Sequence, residues 1–177
     1  ILYVRDIPDG ATSKYLRERA KSDDGFAIRG PFGVFYLRAT RKPKLFVSGG
    51  TGLAPILSML RSQPSAASPK LAIVAGYATA GESLGHEAIA KFEGLLPLEV
   101  VLTADRTTPE WQGYRGNPVE ALEMVRSIPF VPGIEAYVCG PPGMIDAVRS
   151  RLLKEGVSPD DIFNEEFVSS NGASALN

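Results

Sequence analysis

Over the first forty residues the apolar positions fall in short alternating clusters set apart by turn residues. Ile1-Leu2-Tyr3-Val4 predicts a strand over 1–5, Pro8-Asp9-Gly10 a turn, and Ser13 to about Ala20 a short helix. Two more strands, 26–29 and 35–38, are expected on either side of the turn Gly30-Pro31-Phe32-Gly33. After Arg41-Lys42-Pro43 the rhythm changes, and short apolar runs alternate with helical segments. The runs are Leu45-Phe46-Val47, Leu71-Ala72-Ile73-Val74, Leu98-Glu99-Val100-Val101-Leu102, Ala136-Tyr137-Val138-Cys139 and Ile162-Phe163. Helices are expected over 53–62, 84–93, 118–126 and 143–155. Strict alternation of five strands with four helices predicts an α/β fold with a five-stranded doubly wound parallel sheet, which takes ligands beyond the carboxyl ends of its strands. A boundary near 40–44 divides the chain into 1–41 and 42–169, followed by a small, polar tail, 170–177, expected to be flexible. The Ser-, Ala- and Pro-rich stretch 62–69 reads as an exposed connection.

A length of 177 residues suits one full domain and part of a second. The chain opens in the middle of a strand without an initiating methionine, which reads as a fragment. The net charge of −1 and a hydrophobic share of 44% describe an ordinary globular protein and argue against nucleic acid as a partner. An apolar run of about 18 residues and a basic-then-apolar leader are both lacking, so the expectation is a cytoplasmic protein with no membrane association. One cysteine, Cys139, and one histidine, His86, cannot build a disulfide framework, a Cys-rich zinc site or a four-cysteine iron–sulfur cluster. No metal site is assigned, and any metal centre belongs to another chain or segment. His86, in a polar helix start, is given no role.

The sharpest local signal is Val47-Ser48-Gly49-Gly50-Thr51-Gly52-Leu53-Ala54-Pro55, directly after a strand and opening a helix. Glycines there let backbone approach a diphosphate, and a helix N-terminus offers free N–H groups and partial positive charge. The same turn also serves as a plain strand-to-helix connection with no ligand. No Gly-Lys-Ser/Thr follows, which excludes a Walker motif, and Pro55 stands where the third glycine of the usual dinucleotide fingerprint would be.

Gly50-Thr51-Gly52-Leu53-Ala54-Pro55 resembles the nicotinamide-diphosphate loop of the ferredoxin-NADP reductase superfamily, and Tyr137-Val138-Cys139-Gly140-Pro141-Pro142-Gly143-Met144 resembles its Cys-Gly-Pro-Pro-x-Met segment. From Ile1 to Phe167 the chain looks most like the reductase components of aromatic-ring dioxygenases and soluble di-iron monooxygenases. The resemblance implies a strand order of 3-2-1-4-5 and, ahead of it, the C-terminal part of an antiparallel FAD-binding β-barrel. Val4-Arg5, Gly10 to Leu16 and Gly30 to Leu37 are similar to that barrel's end. Gly10 and Ser13 would then bind the FAD diphosphate, with Ser13 capping the following helix. Gly49, Gly50, Thr51, Gly52, Pro55, Gly140, Pro141, Pro142 and Met144 would hold the nicotinamide nucleotide.

Three residues carry implied catalytic roles. Cys139 would lie at the hydride-transfer site, packing beside the nicotinamide without a covalent bond; read alone, a cysteine ending an apolar strand is a small core residue. Glu165 and Phe167 resemble the closing Tyr-Glu-x-Phe segment, with Glu166 the alternative in a register one residue on. NADPH-using relatives place Ser-Arg after the third strand, whereas this chain has Thr103-Ala104-Asp105. Asp105 would accept hydrogen bonds from a ribose diol and repel a 2′-phosphate, which favours NADH, although Arg106 and Arg115 are close in sequence. Trp111 to Gly116 is expected to form a mobile cover on the adenosine side. The implied function is transfer of electrons from NADH through FAD to a [2Fe-2S] ferredoxin domain or protein that serves a terminal oxygenase. The alternatives are a nucleotide-binding module without redox activity and a dehydrogenase acting directly on a small substrate; the Tyr-x-x-x-Lys pair of one such class does not occur.

Overall fold

The computed structural model describes residues 2–7, 9–30, 32–63, 68–82 and 85–167. Helix α1 (Ala11–Glu18) precedes a sheet that begins with β1 (Lys44–Gly49). There follow α2 (Leu53–Arg61), β2 (Leu71–Thr79), α3 (His86–Ala90), β3 (Leu98–Arg106), β4 (Tyr114–Arg115), α4 (Pro118–Ala121), β5 (Glu135–Gly140), α5 (Pro142–Lys154) and β6 (Ile162–Glu166). Every strand pairs in parallel, in the order β4-β3-β2-β1-β5-β6. The five strands read from the sequence keep the expected order, and a sixth, β4, adds two residues outside β3. Tyr114–Arg115 is too short to leave a periodic signal; it is held by Trp111 Nε1–H donating to the Tyr114 carbonyl at 3.0 Å.

Both faces of the sheet are covered, as parallel sheets require. Leu45, Val47, Ala72, Val74, Ala136 and Val138 pack on one face against Ala121 of α4 and Ile145, Val148 and Leu152 of α5. Phe46, Ile73, Ala75, Tyr77 and Tyr137 pack on the other against Leu53, Ile56, Leu57 and Leu60 of α2 and Ile89 of α3. Alternation within each strand therefore sorts two cores rather than a core and a surface.

The amino half departs from expectation. Strands were expected over 1–5, 26–29 and 35–38, but the described residues of these segments lie in no sheet. Their alternation favours extended backbone, yet a strand also needs a neighbour to complete its hydrogen bonds, and these segments have none among the described residues. Leu2, Phe26, Ile28, Val34 and Tyr36 are exposed in consequence. The expected 118–126 helix is shorter: α4 gives way to a 3₁₀ turn, Leu122–Met124, and the Glu99 carboxylate then accepts from the N–H groups of Arg126 and Ser127 at 2.7–3.0 Å, ending it. The 84–93 helix is reduced to His86–Ala90, with Leu84 outside the described residues. Residue 1, much of the 62–69 connection and the 170–177 tail lie outside them as well.

Candidate functional site

The chain runs outward from β1 through β2 and β3 to β4, then crosses back to place β5 on the other side of β1. At that switch point the turns after β1 and β5 meet, each admitting the other only because it carries glycine. A Cβ on Gly52 would lie 2.2 Å from the Cys139 carbonyl oxygen, and one on Gly140 would lie 3.0 Å from the Gly49 nitrogen. Met144, in the first turn of α5, fills the space between them: a Cβ on Gly49 would lie 2.9 Å from its Sδ. Gly50 has φ +54°, the left-handed turn that lets the chain leave β1 and enter α2.

Above these turns lies a cleft of about 980 Å³. Its floor is Gly49, Gly50 and Thr51 from the first turn, Pro141, Gly143 and Met144 from the second, and Gly76, Tyr77 and Ala78 from the end of β2. Asp105, Glu82 and Glu120 bring carboxylates to the rim; Arg5 and Asp6 enter from the amino half, and Phe167 closes the β6 side. Phe167 is held there by its N–H donating to the Gly140 carbonyl at 2.9 Å. With the starts of α2 and α5 adjoining, the floor suits a diphosphate and the rim a neutral diol.

The structure distributes the sequence-derived candidates unevenly. Gly49, Gly50, Thr51, Asp105, Pro141, Met144 and Phe167 line the cleft. Gly52 and Gly140 lie beneath it as the contact between the turns, and Pro142 forms the exposed first residue of α5. Pro55 faces elsewhere, lining a cavity of about 390 Å³ with Phe35, Tyr36 and Leu37. Gly10 and Ser13 do not line the cleft, and Ser13 is not a cap: Gly10 takes that position and Ser13 falls inside α1. The Ser13 hydroxyl is turned inward, accepting from the Ile7 N–H at 3.2 Å and lying 3.1 Å from the Ile7 carbonyl.

Cys139 is fully buried, and Glu165 stands opposite it in the β5–β6 register. Burial, with the Glu165 carboxylate adding to it, pushes the Cys139 thiol up to about 12. It is therefore a neutral thiol at physiological pH, suited to packing rather than to nucleophilic attack. Partners in adjacent parallel strands share a face, so Glu165 lies on the Cys139 side and Glu166, opposite Gly140, on the other. A Cβ on Gly33 would lie 3.8 Å from Glu165 Oε1, which brings Gly33 to the same place.

Gly76 and Asn117 escaped the sequence reading. Gly76 is required because a Cβ there would lie 2.3 Å from Pro118 Cγ. Asn117 caps α4 at the rim, its Oδ1 accepting from Val119 N–H at 2.9 Å and Glu120 N–H at 3.1 Å while Glu120 reaches back to the Asn117 N–H. The signal for the cap was legible as Asn117-Pro118-Val119-Glu120, a capping box with proline at its first helical position; that for Gly76 was not, since only the fold brings Pro118 over it.

Comparison with known proteins agrees with this geometry. Residues 46–150 match the family model of the oxidoreductase NAD-binding domain. The 2-halobenzoate 1,2-dioxygenase electron transfer component of Burkholderia cepacia is 34% identical over 176 residues, covering 96% of this chain and 50% of the relative. The anthranilate 1,2-dioxygenase electron transfer component of Acinetobacter baylyi is 30% identical over 174 residues, again 96% of this chain and 50% of the relative. Among solved structures, a ferredoxin reductase in carbazole 1,9a-dioxygenase superposes with a TM-score of 0.73 at 27% identity, covering 94% of this chain and 50% of that one. The chain spans about half the length of the curated relatives it matches. The fold is that of a nicotinamide-nucleotide-binding module of the ferredoxin-reductase type. The chain belongs to the oxidoreductase NAD-binding domain family.

Proposed function

We propose that the chain is the NADH-binding half, with part of the flavin-binding half, of an oxygenase reductase component. NADH would bind in the cleft and deliver its hydride to FAD. Electrons would pass on to a [2Fe-2S] ferredoxin, fused or separate, and then to a terminal oxygenase. Residues 42–169 form the nucleotide side of this division and residues 1–41 the flavin side. The observation that carries the reading is the pair of glycine turns interlocked at the switch point beneath a cleft of dinucleotide size.

The cleft residues divide the work. Gly49, Gly50 and Thr51 present backbone to the diphosphate, at the start of α2. Met144 and Pro141 set the floor on which the nicotinamide end rests. Cys139 backs that end as a neutral, polarisable side chain, while Glu165 and Phe167 bound the approach from β6. Because hydride transfer needs near-attack geometry rather than an acid–base pair, the site's task is positioning and exclusion of water. FAD, when bound, takes up the hydride and releases its electrons singly. The amino half fits its diphosphate at the start of α1, where Gly10 leaves room for no Cβ and the first-turn backbone N–H groups, rather than the inward-turned Ser13 hydroxyl, would face it. A dehydrogenase acting directly on a small substrate is less well supported. Such an enzyme needs a proton-handling group, and the cleft's tyrosine, Tyr77, has its phenol pushed up to about 12 by burial.

Asp105, with Glu82 and Glu120 on the same rim, favours NADH over NADPH by repelling a 2′-phosphate. Titrating the chain with each nucleotide tests this: NADH should bind more tightly, and Asp105→Arg should narrow or reverse the preference. Equal dissociation constants in the unaltered chain would end the specificity argument.

A further inference from the structure

The segment joining the two halves is held by a buried polar network at the amino ends of β1 and β5. Lys44 and Glu135, opposite one another in the β1–β5 register, form an ion pair at 2.9 Å with side chains only 1% and 3% exposed. Thr40 Oγ1 donates to Glu135 Oε1 at 2.7 Å and accepts from Lys44 Nζ at 3.0 Å. Lys44 Nζ also donates to the Thr40 and Lys42 carbonyls at 3.2 and 3.3 Å. Tyr137 Oη donates to Glu135 Oε2 at 2.8 Å and accepts the Arg38 N–H at 2.9 Å. Each buried polar atom of the network thus has a partner, which is the condition under which a buried charge pair specifies one arrangement.

The network reaches the candidate site through one ring. Tyr137 stacks on Phe46 of β1 at 5.4 Å between centroids and lies 5.1 Å from Phe163 of β6 and 6.2 Å from Phe35 of the amino half. The Arg38 guanidinium sits over the Tyr36 and Phe163 rings at 3.8 and 4.7 Å. Two residues beyond Tyr137 and Phe163, on the same sheet face, stand Cys139 and Glu165.

We infer that Tyr137, Glu135, Lys44 and Thr40 form a positioning network that clamps residues 38–44 to the sheet and so sets Phe35 against the Tyr137 ring and Gly33 beside Glu165, the register partner of Cys139. The joining segment is therefore a fixed bracket and not a hinge. Its bearing on hydride transfer rests on the function proposed above; its bearing on the segment's rigidity does not.

Tyr137→Phe removes one hydroxyl and little volume. In the chain itself, amide hydrogen exchange should quicken at Arg38 by about tenfold or more, while Phe46 and Val47 in β1 keep their protection. Thr40→Val, an exposed substitution that cannot unfold the sheet, should quicken exchange in the same segment more weakly. In the full-length flavoprotein, Tyr137→Phe should leave the NADH dissociation constant within about twofold and slow flavin reduction by about fivefold or more, a loss in rate rather than in binding. Unchanged Arg38 exchange in both variants would overturn the bracket. Faster exchange with flavin reduction at the parent rate would overturn the link to the site, and a parent protein that does not reduce flavin would overturn the function while leaving the bracket standing.

Discussion

Cys139 is the residue at which packing and chemistry make different demands. Its thiol is fully buried, and burial with Glu165 holds it neutral up to about 12, so thiol-directed reagents at neutral pH should leave the native chain unmodified and label it fully once unfolded. Cys139→Ser substitutes a hydroxyl that needs a hydrogen bond where sulfur did not, at a cost of roughly 1–3 kcal/mol in stability. If Cys139 positions the nicotinamide, single-turnover flavin reduction in the full-length variant should also slow by more than about tenfold, about 1.4 kcal/mol of barrier. A variant that melts early yet reduces flavin at the parent rate would leave the cysteine only a packing role. At this scale the sequence was most legible where a residue's conformation is the message: Gly52 and Gly140 announced close approaches that the structure contains, and Gly50 a left-handed turn. It misled at Pro55 and Ser13, whose motif positions are regular but whose side chains turn to Phe35–Leu37 and to Ile7.

Among the elements, α4 is the most sensitive to a single cap, because it has four residues and starts at the cleft rim. Asn117→Ala should cost about 1 kcal/mol in a denaturant midpoint and weaken NADH binding together with it, since Asn117 and Glu120 both line the cleft. The β1–β5 ends predict a pH effect. Burial raises the Glu135 carboxyl, but bonds from Lys44, Thr40 and Tyr137 outweigh it and hold the group below the usual carboxylate range. A carboxyl with a depressed folded pKa stabilises fully above its unfolded value, about 4.3, and loses that stabilisation as pH falls through the folded value. Melting temperatures should therefore separate the parent from Glu135→Gln most at pH 6 and progressively less on acidification below about 4. A gap constant with pH would assign Glu135 no such role. The elements of the sheet were legible because apolar runs buried on two faces leave little choice of structure. The amino-half segments were misread because alternation in Leu2–Val4 or Phe35–Arg38 describes a face, whereas a strand is a relation between segments.

For the molecule as a whole, what the sheet supplies is a fixed meeting of two turns at a switch point, with the amino half brought to one side of it by residues 38–44. The order of the strands could be inferred from the resemblance carried by the two glycine motifs; the network at Lys44 and Glu135 could not, because residues 91 positions apart become partners only through the β1–β5 register. The described residues contain no helix long and apolar enough to cross a membrane. In the function proposed above, NADH bound above the interlocked turns gives its hydride to flavin. The most direct measurement is anaerobic stopped-flow reduction of the full-length flavoprotein, followed by loss of flavin absorbance. The reduction rate should saturate with NADH, and the same rate should be reached only at far higher NADPH. Flavin that stays oxidised with both nucleotides, in a protein that is folded and binds them, would contradict it.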